Sequence, residues 1–251
     1  MISISIVSHG HGAMVNRLLG DIAAHCTDVE VILTKNVPEP DFISLNAESL
    51  PLRLIRNTKR HGFGANHNAA FRRSGGGYFC VLNPDVRLPV NPFPELIAEL
   101  TDPAVGTAAP FIVDPAGEVE DNARRFPTPW SLLRKALHAG PHLDYASSQT
   151  PFSPDWIAGM FMLFRRETFE KIGGFDERYF LYYEDVDLCA RLRLAGLDVR
   201  LVPAARAIHD ARRESHRNPV FLARHLRSAV RFFLSEPCAL LAREQRDRHA
   251  F

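Results

Sequence analysis

The chain has 251 residues, of which 46% are hydrophobic and 24% charged, with a formal net charge of +1. This ordinary globular balance supports a sizeable core in one large domain, and the near-zero charge argues against a nucleic-acid partner. No stretch approaches the roughly 18 apolar residues of a membrane span, and the N-terminal MISISIVSHG is expected to form a strand rather than a signal peptide, which favours a cytoplasmic protein.

The first 110 residues are predicted to alternate strands with helices. Strands are expected at residues 2–7, 29–33, 52–55, 78–82 and 105–109, and helices at residues 13–25, 63–73 and 92–100. Such alternation indicates an α/β fold with a mostly parallel, Rossmann-like sheet flanked by helices. Ligands of such sheets gather at the carboxyl ends of the strands. The polar residues that follow predicted strands there are Ser8, Asn36, Asn57 and Asp85.

Residues 111–251 follow a different pattern. We expect a hairpin at residues 111–125, a helix at 128–138, an exposed loop at 140–154, strands at 160–164 and 198–202, and helices at 184–195 and 219–234. The last helix is predicted to pack an apolar face on the domain and to hold Arg224, Arg227 and Arg231 in water. The predicted apolar face consists of Leu222, Leu226, Ala229, Val230 and Phe233. The alternative is that these arginines rest on anionic lipid, at the inner face of the cell membrane.

The four cysteines form no C-x-x-C motif. Cys26, Cys80 and Cys189 fall in apolar helix or strand patterns, so we interpret them as buried thiols rather than a disulfide or zinc framework. This interpretation fits a reducing compartment.

Asp85 follows an apolar strand in the tripeptide Asn83-Pro84-Asp85. Because proline cannot continue the ladder, the chain turns there and the carboxylate projects past the sheet edge. A carboxylate in that position can hold Mg²⁺ or Mn²⁺, and the metal can bridge a diphosphate. The alternative is a turn aspartate that bonds its own backbone.

Glu184 and Asp185 open a predicted helix in the sequence FLYYEDVDLCARL. Acids in a first turn complement the helix dipole, which is the plainer explanation of the pair. The preceding aromatic run, Phe180-Leu181-Tyr182-Tyr183, would in addition place a carboxylate against apolar walls. That setting raises the pKa of a carboxylate and can make it a working base.

The segment from Gly62 to Asn68 opens a helix but fails the G-x-G-x-x-G test for a dinucleotide site, because His67 holds the last position. Asn66 and Asn68 can bond a sugar or phosphate, or serve as first-turn polar residues. His209 follows a strand, and a lone histidine there is either structural or a ligand.

Together these segments resemble the family 2 glycosyltransferases, inverting enzymes of the GT-A fold, and within them the bacterial rhamnosyltransferase-like branch. The resemblance covers most of the chain, and its segment at 155–199 is very specific. The matching segments are Ile4 to Ser8, NTKRHGFGANHNAAF at 57–71, FCVLNPDVRL at 79–88, DWIAGMFMLFRRETFEKIGGFDERYFLYYEDVDLCARLRLAGLDV at 155–199 and AIHDARRESHRN at 207–218.

The resemblance implies a role for each candidate residue. Asp185 corresponds to the catalytic base, with Glu184 beside it on the catalytic and acceptor side. Trp156 and Gly159 fall in the acceptor-binding motif. The implied metal residues for a Mg or Mn ion are Asp85 and His209. The implied donor-binding residues are Ser8, Asn36, Asn57, Gly64, Asn66, Asn68, Asn83 and Asp85.

Two positions depart from the family pattern. Asn83 replaces the first acid of the D-x-D-like metal motif, which leaves Asp85 and water to do more of the metal binding. Thr34-Lys35-Asn36 contains no acid where many members carry an aspartate that reads the nucleotide base. Other groups are therefore expected to recognise the base.

The function implied is inverting transfer of a sugar, with rhamnose as a candidate, from a nucleoside-diphosphate donor to a hydroxyl of a polysaccharide or lipid-linked glycan. We interpret the chain as one GT-A domain with a nucleotide-sugar half at 1–110, an acceptor and catalytic half at 111–218, and a C-terminal helix and tail at 219–251. One rival is a nucleotidyltransferase, which usually needs a basic residue in a loop like that at 8–13, where there is none. The other rival is a non-catalytic glycan- or nucleotide-sugar-binding homologue.

Overall fold

The computed structural model describes residues 1–40, 50–137, 143–145, 148–210 and 219–249. All predicted helices begin and end within two residues of observed ones, whereas the strands β6 and β10 run four and seven residues longer than predicted. In chain order the elements are β1 (Ile2–Ser8), α1 (Gly12–His25), β2 (Val29–Lys35), β3 (Leu52–Arg56), α2 (Phe63–Phe71), β4 (Tyr78–Leu82), β5 (Val86–Arg87), α3 (Phe93–Leu100), β6 (Val105–Val113), β7 (Ala123–Arg124), α4 (Pro129–Leu137), β8 (Trp156–Ile157), β9 (Phe161–Arg165), α5 (Arg166–Lys171), α6 (Glu184–Leu194), β10 (Asp198–His209), α7 (Pro219–Phe233) and α8 (Glu236–His249).

The central sheet joins eight of these strands in the order β3-β2-β1-β4-β9-β6-β10-β5. The strands β3, β2, β1 and β4 run parallel, and β10 runs parallel to β6. By contrast, β9 and β5 run antiparallel to their neighbours. The predicted α/β fold is confirmed, with a sheet that is parallel in its first half and mixed in its second. Since β9 and β10 complete the sheet begun by residues 1–110, the division of the chain into halves stays an interpretation.

The two faces of the sheet carry different side chains. On β1, Ile4 and Ile6 belong to a buried apolar cluster with Leu18 of α1, and complete burial of each such side chain contributes about 1.5–3 kcal/mol. On the opposite face, the Ser5 hydroxyl lies 2.8 Å from Nδ1 of His67 on α2. The alternation of β1 therefore fixes α1 on one face and α2 on the other.

The cysteines are free thiols, as predicted. Cys26, Cys80 and Cys189 are buried and Cys238 is partly buried. Burial raises the pKa of the Cys26 thiol to about 11 and that of the Cys189 thiol to about 12. The buried thiols are therefore packing groups in their protonated form.

The predicted hairpin at residues 111–125 is only partly correct. The chain does turn at Asp114, whose backbone N–H donates to the Glu118 carbonyl, and Val113 bridges Val119. The second strand, β7, pairs instead with β8. The Asn122 side-chain amide donates to the Pro110 carbonyl, and its backbone carbonyl accepts the Ala158 N–H. These bonds turn the chain toward β8.

The helix α7 is observed where it was predicted, but the predicted packing face is only partly correct, since Ala229 is buried and Phe233 packs partly against the core. Its buried residues are Ser228, Ala229 and Phe232, whereas Leu222 and Val230 are exposed. The reason is tertiary: the Phe232 ring packs against Tyr183, and small residues on the same side allow a close approach. The helix α8, which was not predicted, follows it. No helix in the described part of the chain is long and apolar enough to cross a membrane.

Parts of two sequence-derived assignments lie outside the described residues. They are residues 140–142 and 146–147 of the loop expected at 140–154, and residues 211–218 of the family-like segment at 207–218; residue 138, the last of the helix predicted at 128–138, also lies outside them.

A pair of glycines tests how tightly α2 packs. At Gly64 a Cβ would lie 2.5 Å from the Phe175 Cβ, whereas at Gly20, inside α1, a Cβ would meet nothing within 4 Å beyond its own helix. We expect Gly64→Ala to lower the free energy of unfolding by about 1–3 kcal/mol through overpacking. The control Gly20→Ala should raise it by about 0.5–1 kcal/mol. Urea denaturation measures both, and a stabilised Gly64→Ala would contradict the close packing.

Candidate active site

Asp85 belongs to a cluster at the carboxyl end of β4 that also contains Glu120 and His209, which we call the acid–histidine cluster. The Asp85 Oδ2 lies 3.3 Å from His209 Nε2, and Glu120 Oε2 lies 2.5 Å from His209 Nδ1. The pairing of β5 with β10 brings His209 to this point, since His209 is in register with Val86. The Asp85 side chain therefore bonds a distant histidine rather than its own backbone, unlike a simple turn aspartate.

Glu120 was not found by sequence reasoning. It lies between the turn after β6 and β7, and nothing in its local sequence separates it from other exposed acids. Only its hydrogen bond with His209, across 89 residues of chain, reveals it.

The acid–histidine cluster can fit a divalent cation. One oxygen of Asp85, Oδ1, is buried and has no hydrogen-bond partner among the described residues. Burial lowers the pKa of His209, but the hydrogen bonds and charges of Asp85 and Glu120 outweigh it and raise that pKa to about 9. A ligating imidazole must be neutral, so a metal here would replace the proton that His209 holds. Within the described ranges, no group of three or more His, Cys, Asp or Glu side chains is arranged to hold a metal by itself, so Asp85 and His209 would need further ligands.

Two consecutive residues connect the acid–histidine cluster to Asp185. The backbone N–H of Gly159 donates to Asp185 Oδ2 at 2.9 Å. The backbone carbonyl of the following residue, Met160, accepts the N–H of Asn83 at 2.9 Å. The Asn83-Pro84-Asp85 tripeptide and the Asp185 carboxylate are thus held on either side of one dipeptide.

Asp185 and Glu184 begin α6 after an unusual stretch of backbone. Tyr182 and Tyr183 both have positive φ, 71° and 67°. Such backbone costs of the order of 1–3 kcal/mol per residue and is found most often at functional sites. No side chain caps the helix, so its first-turn dipole favours the negative charge of the acids.

The two carboxyl groups differ in accessibility and in charge. Glu184 is buried, while Asp185 is partly exposed. Burial, and then the charge of Asp185, raise the pKa of Glu184 well above its usual range. Burial also raises the pKa of Asp185, but hydrogen bonds from the Gly159 and Val186 N–H groups oppose this. The two neighbouring N–H groups thus favour the charged form of Asp185, whereas burial favours the neutral form of Glu184.

Three of the predicted donor-side residues meet at the ends of β2 and β3. The Asn57 amide donates to Asn36 Oδ1 at 2.8 Å and to Asn66 Oδ1 at 2.7 Å. His61 joins them, since its N–H donates to Asn36 and its carbonyl accepts from Asn36 and Asn66. This asparagine network forms a polar floor at the sheet edge, and its donor role stays a prediction.

Ser8 lies at the same edge, where its hydroxyl donates to Glu39 Oε2 at 3.0 Å. The second Glu39 oxygen is buried and has no partner in the described part of the chain. Glu39 was not singled out from the sequence, because it follows β2 in an irregular segment. It places an acid close to the stretch where the family aspartate is missing.

Two predicted donor residues are instead engaged in packing. The Asn68 amide donates to the Phe175 carbonyl and to Glu177, and its oxygen accepts the Phe175 N–H. Gly64 lies against the Phe175 side chain. Both residues thereby hold α2 against the segment that leads to α6. These contacts count against a direct donor contact, which stays an untested prediction for both.

On the predicted acceptor side, Trp156 is buried on β8. Its indole N–H donates to the Arg125 carbonyl at 2.9 Å, and the Arg124 guanidinium lies 5.2 Å from its ring centroid. Gly159 contacts the Phe63 ring as well as Asp185. Both predicted residues therefore lie on the strand and turn that position Asp185.

Comparisons with known proteins agree with this architecture. The chain resembles the crystal structure of GalNAc-T7 with UDP, GalNAc and Mn²⁺ with a TM-score of 0.69 at 17% identity, over 85% of this chain and 44% of that one. The chain thus spans less than half of that protein. The fold is that of the GT-A glycosyltransferases, and their structures bind a divalent cation together with a nucleotide.

The sequence comparisons identify the family. The family model described as "Glycosyl transferase family group 2" matches residues 78–251. Rhamnosyltransferase WbbL of Escherichia coli (strain K12) is 32% identical over 92% of each chain. An N-acetylglucosaminyl-diphospho-decaprenol L-rhamnosyltransferase of Mycobacterium tuberculosis is 30% identical over 92% of this chain and 83% of its own length. The chain belongs to the family 2 glycosyltransferases and is a glycosyltransferase enzyme.

Proposed function

We propose that the chain transfers a sugar by single displacement from a nucleoside diphosphate to an acceptor hydroxyl, with inversion at the anomeric carbon. The observation that carries this proposal is the Gly159-Met160 dipeptide, which binds Asp185 on one side and Asn83 on the other. This dipeptide would hold the proposed base and the proposed diphosphate-side acid near one another. An inverting transfer needs both, and it needs no covalent glycosyl-enzyme.

Asp185 is the proposed general base. The residue is partly exposed, its carboxylate is held by two backbone N–H groups, and partial burial raises its pKa toward the working range of a base. Glu184 is proposed to stay protonated and to donate a hydrogen bond on the acceptor side. Trp156 and Gly159 are proposed to position the acceptor next to Asp185.

Asp85 and His209 are the proposed metal residues, with water completing the shell. A divalent cation, Mg²⁺ or Mn²⁺, would supply Lewis-acid neutralisation of the departing diphosphate. Asp85 Oδ1 is the unpartnered oxygen that supports this assignment. Glu120 would orient the His209 ring through its Nδ1, as outer carboxylates do in metal sites.

The donor is proposed to lie over the asparagine network and Ser8, and its sugar is proposed to be rhamnose. Identities of 32% and 30% to two rhamnosyltransferases support this sugar. The name of the mycobacterial relative contains a diphospho-decaprenol, so we propose a glycan carried on a lipid diphosphate as the acceptor.

A thermal-shift panel of nucleotide sugars with and without Mn²⁺ tests the proposed function. A donor at 100 times its Kd stabilises the fold by about 2.7 kcal/mol, which raises Tm by roughly 5–10 °C for a domain of this size. We expect the largest rise with a rhamnosyl nucleotide and Mn²⁺ together. Hydrolysis in the same mixture should release nucleoside diphosphate.

Two outcomes would overturn the proposal. Release of pyrophosphate from a nucleoside triphosphate would indicate a nucleotidyltransferase. A Tm shift with a nucleotide sugar, but no turnover with any acceptor or water, would indicate a binding homologue without catalysis.

A further inference from the structure

The outer side of α7 carries an apolar stripe. Leu222, Leu226, Val230 and Leu234 follow each other at intervals of four residues, so they lie along one side of the helix and its end. Their exposed fractions are 61%, 56%, 57% and 82%. Contiguous apolar patches of this kind on a protein surface mark interaction sites.

Arginines border this stripe on one side. Arg224, Arg227 and Arg231 follow at helical spacing, and none of them forms an ion pair with a carboxylate in the described ranges. Arg224 stacks on Phe180 at 4.7 Å, and Arg231 lies 5.9 Å from the Tyr179 ring. The positive charge near α7 also follows from the local composition, since residues 191–251 contain 13 arginines and 6 acids.

A groove opens along the arginine border. Its volume is about 350 Å³, and its lining includes Arg224, Arg227 and Arg231 together with Glu177 and with Arg178, which pairs with Asp176. Three arginines of α7 thus face this groove and can receive phosphate groups, which arginine binds in a bidentate manner.

The position of α7 connects this surface to the candidate active site. Ser228 donates to the Leu181 carbonyl at 2.9 Å, and His225 contacts the rings of Tyr182 and Tyr183 at 5.3 Å. These residues directly precede Glu184 and Asp185. A partner bound to the outer side of α7 would therefore lie about one helix diameter from the segment that leads into α6.

We propose that the outer side of α7 docks on an anionic lipid bilayer, with the leucine stripe in the interface and the arginines on lipid phosphates. The proposal rests on the proposed lipid-carried acceptor, which it would bring to the active site along the membrane surface. An amphipathic helix with an apolar stripe and arginine flank is typical of such contacts. A second copy of the chain would instead bring like charges together on this surface, so charge complementarity favours the bilayer.

Vesicle flotation of the full chain tests the docking. We expect the wild type to float with vesicles of phosphatidylcholine and phosphatidylglycerol, and much less with phosphatidylcholine alone. Arg227→Gln should weaken binding about fivefold, the amount expected for one charge near an anionic surface. The double variant Leu226→Asp/Val230→Asp should abolish flotation. The controls Val90→Asp and Arg73→Gln remove an equally exposed apolar residue and an exposed arginine elsewhere, and should float like the wild type.

Three results would overturn the docking. The first is that the wild type does not float with anionic vesicles. The second is that the control variants lose flotation as much as the double variant does. The third is that light scattering shows a change of mass in the double variant while flotation persists, which would indicate self-association. Because the altered side chains are exposed, Tm should stay unchanged. Metal-dependent hydrolysis of the nucleotide sugar should also stay unchanged in the double variant, so failure of docking is distinguishable from failure of the proposed function.

Discussion

Asp185→Asn is expected to lower kcat by about 10²–10⁴-fold, the usual contribution of a positioned general base. Asparagine keeps the size of the side chain and can still accept the Gly159 N–H, so the turn at Gly159-Met160 should persist. Donor binding should therefore be nearly intact. The measurement is steady-state kinetics of transfer, with the Tm shift by donor and Mn²⁺ as the binding readout.

Glu184→Gln is the matched control for this result. Because burial and the neighbouring charge favour the neutral form of Glu184, glutamine mimics that form and can still donate a hydrogen bond. We expect the loss in kcat to stay below about tenfold, far less than a general base contributes. Equal losses in the two variants would contradict the assignment of the base to Asp185 alone. Full activity of the Asp185→Asn variant would show that Asp185 is not the base.

Asp85→Asn is expected to lower kcat/KM by at least about 10²-fold, since stabilising the leaving diphosphate through a metal amounts to several kcal/mol. The loss should shrink at high Mn²⁺ concentration, because the amide still offers a weaker oxygen ligand. Metal titrations of activity in both proteins measure this shift. A variant with wild-type Mn²⁺ dependence would show that the acid–histidine cluster is structural.

Asp114→Asn provides the comparison for Asp85. Asp114 is a true turn aspartate, whose Oδ1 accepts the N–H groups of Ala116 and Glu118. Its substitution should alter stability by at most about 1 kcal/mol, the value of a typical hydrogen bond. Activity and Mn²⁺ dependence should not change. The pair therefore separates a turn effect from a loss at the proposed metal position.

Much of the fold was predictable because its signals are local. The strand 78–82 was predicted to the residue, since a glycine run precedes it and a proline follows it. The extension of β10 to His209 was not predicted, because its pairing with β5 lies beyond any local apolar pattern. The hairpin at 111–125 was only partly correct for a related reason: its turn forms, but β7 pairs with β8 far along the chain.

The choice of the buried side of α7 shows most clearly which feature the sequence could not determine. The predicted face combined Leu222 and Leu226 with Ala229, Val230 and Phe233. Tertiary packing instead turned Ser228, Ala229 and Phe232 inward, where the Phe232 ring packs against Tyr183. The leucines were left outside, and the proposed docking surface depends on that outcome.

The sequence by itself determined the family, the residue types of the site and the position of Asp85 after a strand and Asp185 at the start of a helix. Only the tertiary structure decided what these acids contact. The Gly159 bond to Asp185 spans 26 residues and the Glu120 bond to His209 spans 89. Periodicity and turn chemistry act over a few residues, so they cannot encode such contacts, nor the difference in burial between Glu184 and Asp185.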